Sequence, residues 1–307
     1  MKNNKNKTIS AEIITDSLNS CGNRLTTFIV TFPRIVLAEL NAHRAFSRNS
    51  ASSRAIPFEK MLNMVKEDPF IPIGFQKDHK GMQGVEYFEG EEHLQCVQDW
   101  LNARDSAIES ATSFTHPVTK QLKNRLLEPF MWHTAIVTAT EFENFFRLRA
   151  HPDAEIHIGE LASKMLEAYN NSKPDQLKEG EWHIPFRNNI NLKTLSDVAI
   201  KLGYSEIEVG DDYKFMEIIA PDLIRKISIA RCARISYVNY EGKDDYEADI
   251  KLCDRLFGSV PRHLSPTEHV AMAIDTEVLY GNFKGFVQYR KMFDDENLSD
   301  ERVKQYA

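Results

Sequence analysis

Between an apolar segment and Pro57 runs Asn41-Ala-His-Arg-Ala-Phe-Ser-Arg-Asn-Ser-Ala-Ser-Ser-Arg54, which gathers Arg44, Arg48, Arg54, His43, Ser47, Ser50, Ser52 and Ser53 into one short stretch. It follows Arg34 and contains no acid after Glu39. That composition can hold an anion. Guanidinium groups offer rigid forks of donors to phosphate oxygens, and short hydroxyls or backbone N–H groups fill the remaining acceptor directions. A solvated basic loop has the same composition, so spacing and the rest of the chain must decide between them.

Other groups with chemical potential stand further along. Asn144-Phe-Phe-Arg-Leu-Arg-Ala150 puts Arg149 near a helix C-terminus, where a cation would also serve the last carbonyls. Asn124-Arg-Leu-Leu-Glu-Pro129 adds Arg125, equally readable as a helix-surface cation. Ala230-Arg-Cys-Ala-Arg-Ile-Ser-Tyr237 offers Arg234 and Ser236, and Leu264-Ser-Pro-Thr-Glu-His269 offers His269. In the last string Ser265 and Glu268 also have the spacing of a capping box. His151 and His157 lie six apart, the wrong interval for one helical face, so no metal is expected.

The elements that must position these groups follow from periodicity. Arg24 to Phe32 is β-branched and aromatic and predicts a strand. Pro33 then opens a helix with Ile35, Val36, Leu37 and Leu40 as its buried stripe. Helices are predicted over Phe58–Lys66, Glu91–Ser113, Val118–Leu127, Glu141–Ala150, Ala154–Asn170, Leu192–Leu202, Asp211–Ile229, Asp245–Phe257 and Phe286–Met292, and a strand over Val270–Thr276. Phe142, Phe145, Phe146 and Leu148 fit one buried helical face. Ile71 to Gly90 reads as an extended, exposed connection, and the Trp182-His-Ile-Pro-Phe186 block in a polar loop either packs back onto the domain or covers a ligand. The charged residues after Met292 are expected to fray.

At 307 residues with 42% apolar side chains the chain can bury a substantial core. A net charge of -7 argues against general duplex nucleic-acid binding, so any positive site has to be local. Cys21, Cys96, Cys232 and Cys253 lie far apart, which suggests reduced structural thiols and neither a zinc site nor a disulfide framework. No apolar run reaches membrane-span length, and the polar start lacks a signal-peptide core, so a cytoplasmic protein with no membrane association is expected.

Taken together the blocks resemble the flavin-dependent thymidylate synthases, the ThyX family. His43-Arg44, followed after seven residues by Ser52 and then Arg54, resembles that family's R-H-R-x7-S signature, including the internal S-x-N of Ser47 and Asn49 and the S-x-R of Ser52 and Arg54. Asn144–Ala150 resembles its N-F-L-x-L-R segment and Asn124–Pro129 its A-R-x-x-L-P segment. The two C-terminal strings resemble its A-R-x-S element and its S-P-F-E-H element. The likeness covers about half of the chain in separated blocks, and it has departures. Ala42 replaces the first arginine, Ser50 stands where many members have Glu, Ala55 where many have Tyr, and Asp153-Ala-Glu155 where His-Ala-Gln is usual.

The order differs too: the A-R-x-S and S-P-x-E-H elements precede the arginine-histidine loop in the family and follow it here. A circular permutation accounts for this, with the cut between the strand after His269 and the strand before Pro33. The tail Gly281 to Arg290 would then fold back near the loop, with Gln288 and Arg290 replacing groups lost at Ala42 and Glu39.

The resemblance implies an α+β, mixed α/β fold, with an antiparallel-containing sheet flanked by helices. It implies one ThyX-like catalytic domain over 1–307, with helical insertions at about 90–128 and 171–225. It implies FAD as cofactor, methylenetetrahydrofolate and NADPH as co-substrates, reductive methylation of dUMP to dTMP, and a homotetramer with shared active sites. By the same token Arg149 and Ser52 would be catalytic, and Ser52, Ser53, Arg54, Arg125 and Gln288 would bind the nucleotide. His43, Arg44, Ser47, Asn49, Asn144, His269, Arg234 and Ser236 would bind the flavin. Two other readings stay open: a flavin enzyme placing a hydroxymethyl or other one-carbon group on a pyrimidine nucleotide, and a non-catalytic nucleotide-binding homologue.

Overall fold

The computed structural model describes residues 7–81, 84–235 and 245–293. Ten strands are seen there: β1 (Ser10–Leu18), β2 (Arg24–Pro33), β3 (Ser47–Ser50), β4 (Trp132–Ala139), β5 (Asp175–Gln176), β6 (Trp182–His183), β7 (Ala271–Ala273), β8 (Leu279–Tyr280), β9 (Phe283–Lys284) and β10 (Phe286–Gln288). The helices are α1 (Leu37–Asn41), α2 (Phe58–Glu67), α3 (Gly90–Thr112), α4 (Lys120–Leu127), α5 (Glu143–Arg149), α6 (Ile156–Asn171), α7 (Leu192–Lys201), α8 (Glu206–Gly210), α9 (Asp212–Lys214), α10 (Ala220–Ile235) and α11 (Tyr246–Gly258). The fold is mixed α/β.

The main sheet has strand order β3-β4-β2-β1-β5 and is antiparallel except for β5 against β1. Because side chains alternate along a strand, its two faces carry different chemistry. Phe28, Val30 and Phe32 join Ala135, Val137 and Ala139 on one face and bury against Phe142, Phe145 and Phe146 of the α5 segment and Ile158, Leu161 and Met165 of α6. The opposite face presents Leu25, Thr27 and Ile29 beside Ile136 and Thr138. It meets Phe186 and Cys232, and the small sheet β10-β7-β6 through Ala271, Ala273 and Phe286. Helix α10 is buried nearly all round, so it shows no single apolar stripe. Its interior Arg231 is 1% exposed and meets Asp249 of α11. A third apolar cluster joins α2, α3 and α4 through Met61, Val65, Ala111 and Leu127.

The predicted helices are present with small shifts at their ends, apart from the last and the one predicted from Asp211. Phe286–Met292 is a strand followed by a single 3-10 turn, because Phe286, Val287 and Gln288 pair with Ala273, Met272 and Ala271. The helix predicted over Asp211–Ile229 is one helical run over 212–235 with a π turn at Phe215–Ile219 between α9 and α10; Pro221 has no N–H with which to continue a tight ladder. Ser47–Ser50 within the arginine-rich stretch is an edge strand on β4 rather than loop. Ile35 and Leu148, expected in buried stripes, are exposed. Ser265 caps nothing: Ser265–His269 is a 3-10 turn without a side-chain cap, and Glu268 pairs with Arg290 instead. The charged residues after Phe293 lie outside the described residues. Among the described residues no helix is long and apolar enough to cross a membrane.

Candidate active site

Helix α1 ends at Asn41, and the chain turns back through His43 and Phe46, whose amides bond the Leu40 and His43 carbonyls at 3.3 Å each. The His43 ring lies 5.8 Å from that of Phe46 and edge-on to Phe145 at 4.9 Å, which fixes it over the start of α5. There Arg149 Nε donates to His43 Nε2 at 3.2 Å, so two blocks 106 residues apart meet in one contact. Burial, then Arg149, then Arg48 lower the His43 pKa, so the ring favours its neutral, accepting form. Arg48 turns inward and donates to the Leu40 and His43 carbonyls at 2.9 and 3.2 Å, holding the turn's shape. Arg44 and Asn144 are exposed.

Strand β3 places Ser47 opposite Thr138, which in turn lies opposite Thr27 of β2, so three hydroxyl residues form a row across one face of the sheet. Gln288 Nε2 donates to Ser47 Oγ at 2.7 Å and reaches the Glu268 carbonyl at 3.3 Å. Arg290 pairs with the Glu268 carboxylate. The C-terminal tail therefore packs on β3. His269, wholly buried, bonds Thr138 Oγ1 through Nδ1 at 2.8 Å, and its Nε2 is buried with no hydrogen-bond partner among the described residues. The Nδ2 of Asn49 is in the same state. From Thr138 the bonding continues to Thr27 at 2.8 Å, from Thr27 to His183 Nε2 at 2.7 Å, and from His183 Nδ1 to Ser17 at 2.8 Å. Burial pushes both His183 and His269 down to about 3.

The remaining predicted nucleotide-side residues form a separate group around an acid. Asn124 Nδ2 donates to the Ser53 and Ile56 carbonyls at 2.6 and 3.0 Å, which pins the turn after Ser52. The Ser53 hydroxyl donates to Glu128. Arg125 Nη1 lies 2.9 Å and Arg34 Nη2 3.5 Å from the same carboxylate. Glu128 thus occupies the position to which two guanidinium groups and a hydroxyl converge. Arg54 is exposed, with Nε on Gln121 Oε1 at 3.1 Å. Ser52 is half-buried, and its carbonyl accepts from the Ala55 amide. Behind this group His133 is wholly buried; burial and the charge of Arg34 push it down to about 3.

The structure therefore brings His43 to Arg149, ties Ser47, Gln288 and His269 to one face of β3 and β4, and joins Ser53 to Arg125 through Glu128. Among the described residues no hydrogen bond or ion pair connects Arg54, Arg149 and His269 with one another. Arg234 is committed elsewhere, with Nε 2.7 Å from Asp249 Oδ1. Ser236 lies outside the described residues. Sequence reasoning overlooked Thr27, Thr138 and Ser17, and saw His183 only as part of a loop block. The available signal was a run of hydroxyl residues inside an otherwise apolar strand pair. It also treated Glu128 as background, although this acid stands where the A-R-x-x-L-P segment has leucine.

One cavity of about 280 Å³ is lined by Ile13, Asp16, Ser17, Lys173, Trp182 and Arg187, with further neighbours. A second, of about 290 Å³, lies between α10 and α11 by Tyr204 and Ile250, and a third, of about 500 Å³, lies by Ile9, Ile73 and Trp132. No family model matches the chain, and no curated protein matches it. Among solved structures it is similar to the UMP/dUMP methylase PolB from Streptomyces cacaoi bound with 5-Br UMP, at 16% identity and a TM-score of 0.44, over 53% of this chain and 89% of that one. It is also similar to the same methylase bound with 5-Br dUMP, at 15% identity and a TM-score of 0.44, over 53% of this chain and 90% of that one.

Proposed function

We propose that this chain is a flavin-dependent thymidylate synthase in permuted order, which methylates dUMP reductively to dTMP with methylenetetrahydrofolate and NADPH. The observation that carries the reading is the 3.2 Å contact of Arg149 with His43, which unites two blocks of the resemblance across 106 residues. In this reading the chain is a single catalytic domain, with the helices within 90–128 and 171–225 as insertions. It assembles as a homotetramer whose sites are shared.

The buried Nδ2 of Asn49 and Nε2 of His269, without a partner among the described residues, fit the polar edge of an isoalloxazine, since a buried polar atom without a partner is costly unless a ligand satisfies it. FAD, when bound, supplies the hydride for the reduction. His43, Arg44, Ser47, Asn49, Asn144 and His269 hold it. Arg149 stabilises negative charge developing on the uracil carbonyls, acting as an electrostatic catalyst rather than as an acid. Neutral His43 accepts from Arg149 Nε and fixes that guanidinium in place. Ser52, Ser53, Arg54, Arg125 and Gln288 orient the nucleotide.

The position of Glu128 favours a second reading, a homologue that takes a different pyrimidine nucleotide or one-carbon group. A carboxylate already satisfying Arg125, Arg34 and Ser53 competes with a phosphate. The absorbance of the purified protein tests for bound flavin, and tritium release from dUMP labelled at C5, with methylenetetrahydrofolate and NADPH, tests the reaction. Colourless protein that cannot be loaded with FAD refutes both flavin readings. Product formed from dCMP in place of dUMP selects the second.

A further inference from the structure

Ser17, His183, Thr27, Thr138 and His269 form an unbroken line of hydrogen bonds at 2.7 to 2.8 Å through the buried face of the main sheet. They come from β1, β6, β2, β4 and the 3-10 turn before β7, so the line crosses from one side of the sheet to the other. Each member is buried, at no more than 3% exposure. Hydrogen-bonding groups are expensive to bury, and a core needs none of them to pack. Five in series, each satisfying the next, constitute a built feature.

The two ends differ. Ser17 lines the cavity of about 280 Å³, far larger than the ~10–15 Å³ that one water needs, together with Asp16, Lys173, Asp175 and Arg187. His269 ends the line, with its Nε2, which has no partner among the described residues, beside the face that carries Ser47 and Gln288.

We infer that this line is a proton relay connecting the cavity at Ser17 to the Nε2 position of His269. Every member is a hydroxyl or a neutral imidazole, able to donate and accept at once. In one sense Ser17 donates to His183 Nδ1, His183 Nε2–H to Thr27, Thr27 to Thr138, and Thr138 to His269 Nδ1, which leaves His269 carrying its proton on Nε2. A proton delivered from Nε2 to an acceptor is replaced as one taken up from solvent at Ser17 passes along. Each O–H or N–H bond broken is matched by one formed on the next atom. Passage leaves the line in the opposite sense, with His269 Nδ1–H donating to Thr138 and His183 Nδ1–H donating to Ser17, and a proton taken up at His269 Nε2 and released at Ser17 restores the first sense. Concerted passage never requires an imidazolium to persist, in keeping with burial that disfavours the charged form of both rings. The acceptor or donor at His269 belongs to the flavin site proposed above, and only the use of the proton rests on that reading.

The two senses impose a rule: His183 and His269 always share a tautomer, both Nε2–H or both Nδ1–H. Long-range ¹H–¹⁵N spectra of the ¹⁵N-labelled full chain read both rings directly, without any turnover. The expected result is matching tautomers, and exchange of the His269 ring proton with deuterated solvent faster than that of the Ile136 amide in the adjoining strand. In Thr27→Val, which keeps the branched shape of the strand residue, the match is released and His269 exchange slows at least tenfold. Ser17→Ala, at the edge of the line, slows the same exchange should the central variant not fold. Opposite tautomers in the native chain overturn the relay. So does His269 exchange that is unchanged in whichever of the two variants folds, which would make the line a static structural network. Failure of dUMP turnover alone strikes only the reaction assignment.

Discussion

Acidification from pH 7 to pH 5 should cost this protein far more stability than its surface charges can explain. His133, His183 and His269 are each fully inaccessible, and each is pushed down to about 3 by burial. In the unfolded chain a histidine binds its proton near 6.5, so below that pH the unfolded state carries protons that the folded state refuses. Folded pKa values lowered in this way leave stability complete above 6.5 and remove it progressively as the pH falls toward about 3. Each ring loses about 1.4 kcal/mol per pH unit in that window, so about 2 kcal/mol by pH 5 and about 6 kcal/mol for the three together. Glu155, whose folded pKa is lowered by its bonds to His157 and the Ile158 amide against the cost of its burial, adds a loss only below its ordinary value. The range between 6.5 and 5 therefore isolates the histidines. Urea unfolding at fixed ionic strength measures the difference, and His133→Gln should remove about a third of it. Equal stability at both pH values, or any of the three rings titrating near 6.5 by NMR, refutes the reasoning.

Arg149→Gln removes a charge that holds the His43 pKa down, so the ring should titrate closer to its ordinary value; an unmoved NMR titration would show that the two side chains are not in contact in solution. Gln288→Ala and Arg290→Ala remove the bonds to Ser47 and Glu268, and both should weaken dUMP binding and turnover. If calorimetry and tritium release match the native values, the tail does not complete the site. Glu128→Gln takes a carboxylate from between Arg34 and Arg125, and dUMP affinity should rise about five- to tenfold, an effect of about 1 kcal/mol at a partly exposed site, while uridine affinity stays constant. An equal gain for uridine would mean that the cluster does not meet the phosphate.

What the residues revealed in advance follows from the range of the forces involved. Helices such as α3 and α6 announce themselves by local periodicity, and β2 by its run of branched and aromatic residues. Strands β1 and β4 escaped notice because their identity lies in pairing with β2, and β3 because a serine-rich tetrapeptide becomes a strand only when β4 offers it an edge. The tail failed for the same reason: Phe286 and Gln288 point inward as strand residues beside β7, although a helix would suit the string alone. At the candidate site the basic loop and Arg149 were legible as residue types. Thr27, Thr138 and His183 became a line only through three-dimensional juxtaposition, and Glu128 gained significance only when Arg34, separated from it by nearly a hundred positions, arrived beside it.

The hydrogen bond from Gln288 to Ser47 spans 241 positions of the chain. During synthesis β1, β2, β3 and β4 have all emerged once Ala139 clears the ribosome, whereas the strand that covers Ser47 is nearly the last described element to be made. Nascent chains stalled before Phe286 would thus display the paired strands with Ser47 uncovered, and in the reading proposed above ligand capture would come late in biogenesis.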